Sequence, residues 1–234
     1  MMYRIFLNVI ALTSITFAQA PNPERGGERK KDPAFAPIED VVGLPRVLLI
    51  GDSISVGYTL PTRRALEGVA NVHRIPFNGS DTGVALQNLD PWLASTGLGK
   101  KWDVIHFNWG LHDLKHWKDN KLDLAGPQVN PLPQYEKNLR EIISKLKATG
   151  AKLIFATTTP VPEGSDGRVA KDELAYNEAA IRVMKANDVP VDDLHAVIVA
   201  QPSFQREKNV HFTSEGYQVL AAQVASEIKK ILGK

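Results

Sequence analysis

The sequence predicts an α/β chain folded as a three-layer α/β/α sandwich around about five parallel strands. Short aliphatic runs alternate along the chain with stretches of helical periodicity, the pattern of repeated βα units. The runs are apolar almost throughout rather than at every second residue, as strands covered by helices on both faces require. At 234 residues and 43% apolar content, the chain can bury one sizeable core.

The strands are expected, in order, at "RVLLI" (46–50), "VHRIPF" (72–77), "WDVIHFNW" (102–109), "KLIFATTT" (152–159) and, more weakly, "VPVDDL" (189–194). Between the third and fourth, Leu132, Tyr135, Leu139, Ile142 and Leu146 recur at three- and four-residue spacing before Gly150, which marks an amphipathic helix and its stop. The segments 172–187 and 214–232 repeat that pattern, the second with Thr213 or Ser214 as N-cap and Glu215 in its first turn.

Ahead of the first strand, residues 1–20 read as a signal peptide. Arg4 supplies the positive start, "IFLNVIALTSITFA" the apolar stretch, and Ala18-Gln19-Ala20 a small-residue cleavage site. Export to the periplasm or the exterior is expected, with no membrane association after cleavage; because Pro21 follows the site, cleavage after Ala18 and an uncleaved anchor are the alternatives. Residues 21–44 are polar and rich in Pro and Gly, as a tether is, and 45–234 form the folded domain.

Composition narrows the chemistry. The formal net charge is +2, from scattered lysines and arginines rather than a basic stripe, so nucleic acid is not an expected partner. The absence of cysteine excludes disulfides, thiolate metal sites and a lipid-bearing cysteine. In an open parallel sheet, ligands bind outside the carboxyl ends of the strands. The loops there read "GDSIS", "NGSDTG", "GLHDLKHW" and "TPVPEGSDGR", and "NVHFTSEG" leads into the last helix.

Two of these segments hold a serine and a histidine that invite a functional as well as a structural reading. Ser53 in "GDSIS" stands at a strand-to-helix turn, where backbone N–H groups can hold an oxyanion. A serine hydroxyl needs an adjacent base to act as a nucleophile, and an imidazole, such as that of His211 before the last helix, has a near-neutral pKa that suits one. Read structurally instead, Ser53 is a helix cap and His211 a polar residue at a helix start.

Together, "GDSIS" and "VHFTSEGYQVLA" resemble the first and last sequence blocks of SGNH (GDSL-type) hydrolases, over roughly residues 45–232. The resemblance implies a flavodoxin-like fold, Ser53 as nucleophile, His211 as base and no cofactor. The second block, in which a glycine N–H enters the oxyanion hole, falls on Gly79-Ser80-Asp81-Thr82 and puts Ser80 where glycine is usual. The third, usually G-x-N-D, reads Gly110-Leu111-His112-Asp113, with His112 in place of the asparagine donor. Gly79, Ser80, His112 and the N–H of Ser53 are thus the expected oxyanion donors. Imidazole can donate, but it is larger than an amide and titrates.

In the last block, Lys208 occupies the position of the family's aspartate, with Glu207 one residue out of register. Lysine cannot accept from an imidazole N–H. The expectation is therefore a Ser–His dyad, with a backbone carbonyl or water orienting His211 and Lys208 turned to solvent. Trp109, Asp113, Lys115 and Trp117, with Lys118, are candidates for an aromatic and charged rim around a sugar or an acidic polymer, or for plain packing. His112 and His116, four apart, could face a metal from one helix, but the glutamate of the zinc-protease motif is missing, and no metal is expected. His106 lies in an apolar strand as a satisfied core residue, and His73 and His195 have no partner at informative spacing.

The expected function is removal of an O-acyl group, acetyl above all, from a carbohydrate or small ester. The competing expectation is a carbohydrate-binding protein on the same fold that has lost efficient catalysis through the changes at Ser80, His112 and Lys208.

Overall fold

The computed structural model describes residues 32–94 and 101–234. Within them the first apolar run becomes β1 (Arg46–Ile50), buried along its whole length. Then follow α1 (Ser53–Ala65), β2 (Asn71–Arg74), α2 (Thr82–Ala94), β3 (Val104–Phe107), a small hairpin of β4 (Trp117–Lys118) and β5 (Lys121–Leu122), α3 (Leu132–Ala148) and β6 (Lys152–Ala156). The chain closes with α4 (Asp172–Lys185), β7 (Val191–Asp192), α5 (Leu194–Val199) and α6 (Ser214–Leu232).

Five strands form one parallel sheet in the order β2-β1-β3-β6-β7. This is the flavodoxin-like arrangement, in which the order reverses between β1 and β3 and opens a crevice beyond their carboxyl ends. Helices α1, α5 and α6 pack together, as do α2, α3 and α4, giving a layer of helices to each sheet face. The α3 stripe predicted from spacing is the buried one, with Tyr135, Leu139, Ile142 and Leu146 fully covered. At α6 it is Thr213 that caps, its hydroxyl accepting from Gly216 N–H.

One close approach fixes the functional end. Gly57 in α1 lies under the Tyr217 ring of α6, and any Cβ there would overlap the ring. Glycine lets the helix that begins at Ser53 pack tightly on the helix that begins just after His211.

The expected signal peptide and residues 21–31 of the expected tether lie outside the described residues. Residues 32–44 correct the tether boundary, because they pack on the domain. Ala34 is buried, the Phe35 ring sits 5.2 Å from the Arg74 guanidinium, and Asp40 pairs with Arg46 and His73. The many prolines and charges mask these few anchors in a composition-based reading. No helix among the described residues is long and apolar enough to cross a membrane.

Candidate active site

The turn after β1 is built around a buried carboxylate. Asp52, not Ser53, caps α1: its Oδ1 accepts from Ile54 N–H at 2.9 Å, which frees Ser53 to occupy the first helical position. Burial pushes the Asp52 pKa up, while the Ile54 N–H and the charges of Arg168, Arg74 and His211 pull it down. Arg74, reaching across from β2, braces the same turn. Its Nη2 donates to Gly51 O at 2.8 Å and Asp52 O at 3.3 Å, and its Nη1 to Ser55 Oγ at 2.6 Å. Ser53 N–H makes no hydrogen bond among the described residues, as the first N–H groups of a helix commonly do not.

Ser53 Oγ lies 2.9 Å from His211 Nε2. His211 sits on a loop closed by an antiparallel bridge between Gln205 and Phe212 and by Arg206 N–H donating to His211 O. Asn209 lies in the turn within that loop, and its Oδ1 accepts both the backbone N–H of His211 at 2.9 Å and its ring Nδ1–H at 2.8 Å. An asparagine oxygen accepting from the N–H two residues on is the usual Asx-turn. Here the same oxygen also orients the imidazole, so Nδ1 carries the proton and Nε2 is left to accept from serine.

This corrects the expectation that a backbone carbonyl or water holds His211. Lys208 is exposed, with φ +52, and its alkyl chain runs beside Gly164. The left-handed turn at Lys208 brings the next residue, rather than residue 208 itself, beneath the imidazole. Burial, followed by the Arg206 and Arg168 charges, lowers the His211 pKa, against the opposing pull of Asp52.

Behind β3, His112 is largely enclosed. Burial first, then the neighbouring charges of Lys115, Arg168 and His211, push its pKa down to about 3, so the ring is neutral across ordinary working pH. Its Nδ1 lies 3.3 Å from Lys115 Nζ, and because an ammonium only donates, Nδ1 is the acceptor. The ring proton therefore resides on Nε2, as an oxyanion donor requires.

The second block is rearranged. Gly79 N–H donates to Gly51 O at 2.9 Å, and a Cβ at Gly79 would come 2.8 Å from that oxygen. Gly79 is thus a close-approach residue between the first two loops and not an oxyanion donor, which corrects its assignment. Ser80 holds the left-handed conformation at φ +50, and its N–H donates to Asn78 Oδ1 at 2.9 Å, so it can serve an oxyanion only by exchanging that exposed partner.

Two rim candidates prove to be internal. Trp109 is buried, its indole donating to Gly79 O at 3.1 Å, because its side chain points into the core beside Phe107. Asp113 is fully buried, and its Oδ1 accepts from Thr82 N–H, Thr82 Oγ1 and Asn130 Nδ2. Burial raises the Asp113 pKa to about 7. Trp117 does lie at the surface, and the half-buried Lys115 brings its Nζ to 5.1 Å from the Trp117 ring centre.

The other histidines have structural partners. His73 pairs with Asp40, His195 with Glu173, and His106 with Asp192 in the core. His112 and His116 do not share a helix, and His116 Nδ1 bonds to Gly126 O at 2.7 Å. No metal-binding group of His, Asp or Glu occurs among the described residues.

Residues missed by sequence reasoning are Asn209, Arg74 and Arg168. Asn209 was within reach, since an asparagine two residues before a histidine is an Asx-turn signal. Arg74 and Arg168 carry no local signal.

Comparison with known proteins adds three kinds of result. Residues 49–219 match the GDSL-like lipase/acylhydrolase family. A search of curated proteins finds no match. Among solved structures, the fold resembles the acetyl xylan esterase AlAXEase (TM-score 0.63, 18% identity, covering 78% of this chain and 99% of that one). It also resembles the lipase/acylhydrolase from Enterococcus faecalis (0.65, 21%, 80% and 96%) and a variant of an acetyl-xylooligosaccharide esterase from Geobacillus (0.58, 17%, 81% and 94%).

Proposed function

The chain belongs to the GDSL-like lipase/acylhydrolase family, and from that premise we propose that it is an exported esterase that removes acetyl groups from carbohydrates through an acyl-serine intermediate. The observation that carries the reading is the 2.9 Å contact between Ser53 Oγ and His211 Nε2, with the far side of the imidazole fixed on Asn209.

Ser53 Oγ attacks the ester carbonyl as His211 Nε2 takes its proton. The oxyanion is met by Ser53 N–H, His112 Nε2–H and, once released from Asn78, Ser80 N–H. The tetrahedral intermediate collapses by breaking the bond to the alcohol oxygen, which receives the proton from His211. Water, deprotonated by the same histidine, then splits the acyl-serine and regenerates the hydroxyl. Asn209 keeps the tautomer, but as a neutral amide it gives the imidazolium less stabilisation than a carboxylate would.

The acetyl-carbohydrate assignment draws support from two structural neighbours that act on acetylated xylan and xylo-oligosaccharide. Export draws support from the sequence of residues 1–20. A positioned nucleophile–base pair argues against the alternative of a binding-only protein, which has no need of one. The test is hydrolysis of para-nitrophenyl acetate and of acetylated xylo-oligosaccharide by the purified protein and by Ser53→Ala. Both activities should vanish in the variant, together with labelling by a fluorophosphonate. Activity retained in Ser53→Ala would remove the nucleophile, and glycan binding without turnover in the parent would restore the binding-only reading.

A further inference from the structure

Arg168 is anchored next to His112, close enough for its charge to act on His211, and no acid among the described residues pairs with it. The loop from β6 to α4 (157–171) threads between the His112 loop and the His211 loop. His116 N–H donates to Gly167 O at 2.7 Å, and the Lys208 stem packs beside Gly164. At the end of this loop, Arg168 Nε donates to Leu111 O, the residue before His112, at 2.9 Å, and Nη1 donates to Asp166 O at 3.1 Å. A guanidinium has five N–H donors in a rigid fork. Among the described residues Arg168 Nη2 has no hydrogen-bond partner and no carboxylate forms an ion pair with Arg168.

This charge is costly where it stands. Burial lowers the Arg168 pKa, with only the charges of Asp52 and Asp166 in opposition. Its field also reaches His211 and His112 and disfavours their protonation, although His211 must become positive as it takes the serine proton. A half-buried cation that works against the base of its own reaction calls for a counter-charge. The described residues supply none at bonding distance, and a substrate can bring it.

We propose that Arg168 forms an anion subsite beside Ser53 and His211, and that the ester cleaved carries a carboxylate held by the open side of the guanidinium. The inference rests on the esterase reading and deepens it. The carboxylate can belong to the alcohol, as in an acetylated uronic acid, or to the acyl group, as in the half-ester of a dicarboxylic acid. In either place it neutralises Arg168 as the imidazolium forms.

Three activated esters separate the cases: para-nitrophenyl acetate, which is neutral; para-nitrophenyl hemiglutarate, with the charge on the acyl side; and the acetate of a nitro-hydroxybenzoic acid, with the charge on the leaving side. For each charged ester, kcat/KM is divided by that for the neutral ester, and the ratio is compared between the parent, Arg168→Gln and Arg168→Lys. Differences in intrinsic reactivity and in the fraction of folded enzyme cancel. The ratio should fall about tenfold or more in Arg168→Gln for one charged ester, the effect of losing one charge-assisted hydrogen bond, and that ester identifies the side. Arg168→Lys should keep part of it. Unchanged ratios for both charged esters, including an equal loss on all three substrates, would overturn the subsite. Binding of the two charged esters to Ser53→Ala, with and without Arg168→Gln, repeats the comparison with no turnover required: weaker binding to the double variant supports the subsite, and equal binding overturns it. Absence of Ser53-dependent turnover of the neutral ester would count against the esterase reading alone.

Discussion

Asn209→Ala tests whether a neutral amide does the work that an acid does elsewhere in this family. The substitution deletes an oxygen 2.8 Å from His211 Nδ1 and 2.9 Å from its backbone N–H. Each bond contributes about 1 kcal/mol net, so losing both corresponds to roughly a 30-fold fall in the productive orientation. A fully wrong tautomer sets the ceiling, at about 10⁴ in kcat. The expected result therefore lies between about 10- and 100-fold in kcat, with KM nearly constant because Asn209 faces the base and not the substrate. The assay is the pH profile of kcat and kcat/KM on para-nitrophenyl acetate for the parent, Asn209→Ala and Asn209→Asp. In the parent, burial lowers the His211 pKa, so the base stays neutral and the acid limb lies below the ordinary imidazole range. Asn209→Asp keeps the acceptor and adds a negative charge, so it should move that limb to higher pH and preserve or raise the plateau. If Asn209→Ala changed kcat by less than about threefold, a value within the worth of one weak hydrogen bond, the imidazole would have to be oriented by something else.

Three further outcomes follow from the same geometry. His112→Ala should lower kcat by about 10²–10³ with a small effect on KM, and His112→Asn should recover part of it; an effect confined to KM would make His112 a binding residue. Asp113 has a folded-state pKa raised to about 7, so its contribution to stability is fully present below the ordinary carboxylate range and is lost as pH rises to about 7. Urea unfolding at pH values across that window should show the parent losing stability relative to Asp113→Asn, with about 4 kcal/mol as the upper limit, and parallel curves would show that Asp113 does not titrate there. Gly57→Ala pushes a methyl group into the Tyr217 ring and should destabilise the fold by about 1–3 kcal/mol in thermal or urea denaturation; an unchanged melting temperature would mean that α6 can shift away from α1 freely.

The strands and the long helices were legible in the sequence because each depends on residues near one another along the chain. Continuous apolar runs specify buried parallel strands, and the stripe from Tyr135 to Leu146 specifies one face of α3. α1 and α2 were harder, since each contains an internal proline and a diluted apolar stripe, and their helical form is secured by packing. The hairpin of β4 and β5 is two residues to a strand, too short for any periodicity to register.

For the site, the sequence singled out Ser53 and His211 through its resemblance to the family's first and last blocks, and placed both at the carboxyl-end side of the sheet. Tertiary structure alone decided how the rest are used. Whether Trp109 and Asp113 face solvent or core depends on the side of the sheet to which the chain turns after β3, and both turn inward. Whether Gly79 N–H meets a substrate depends on how close the second loop comes to the first, and it comes close enough to spend that donor on Gly51. The residue that orients His211 depends on a left-handed turn at Lys208, which replaces position 208 by position 209. The tautomer of His112 and the open side of Arg168 depend on neighbours brought together from separate loops. A composition or a spacing specifies the donors and acceptors a chain owns; which of them are already satisfied, and which still need a partner, is fixed only when distant segments meet.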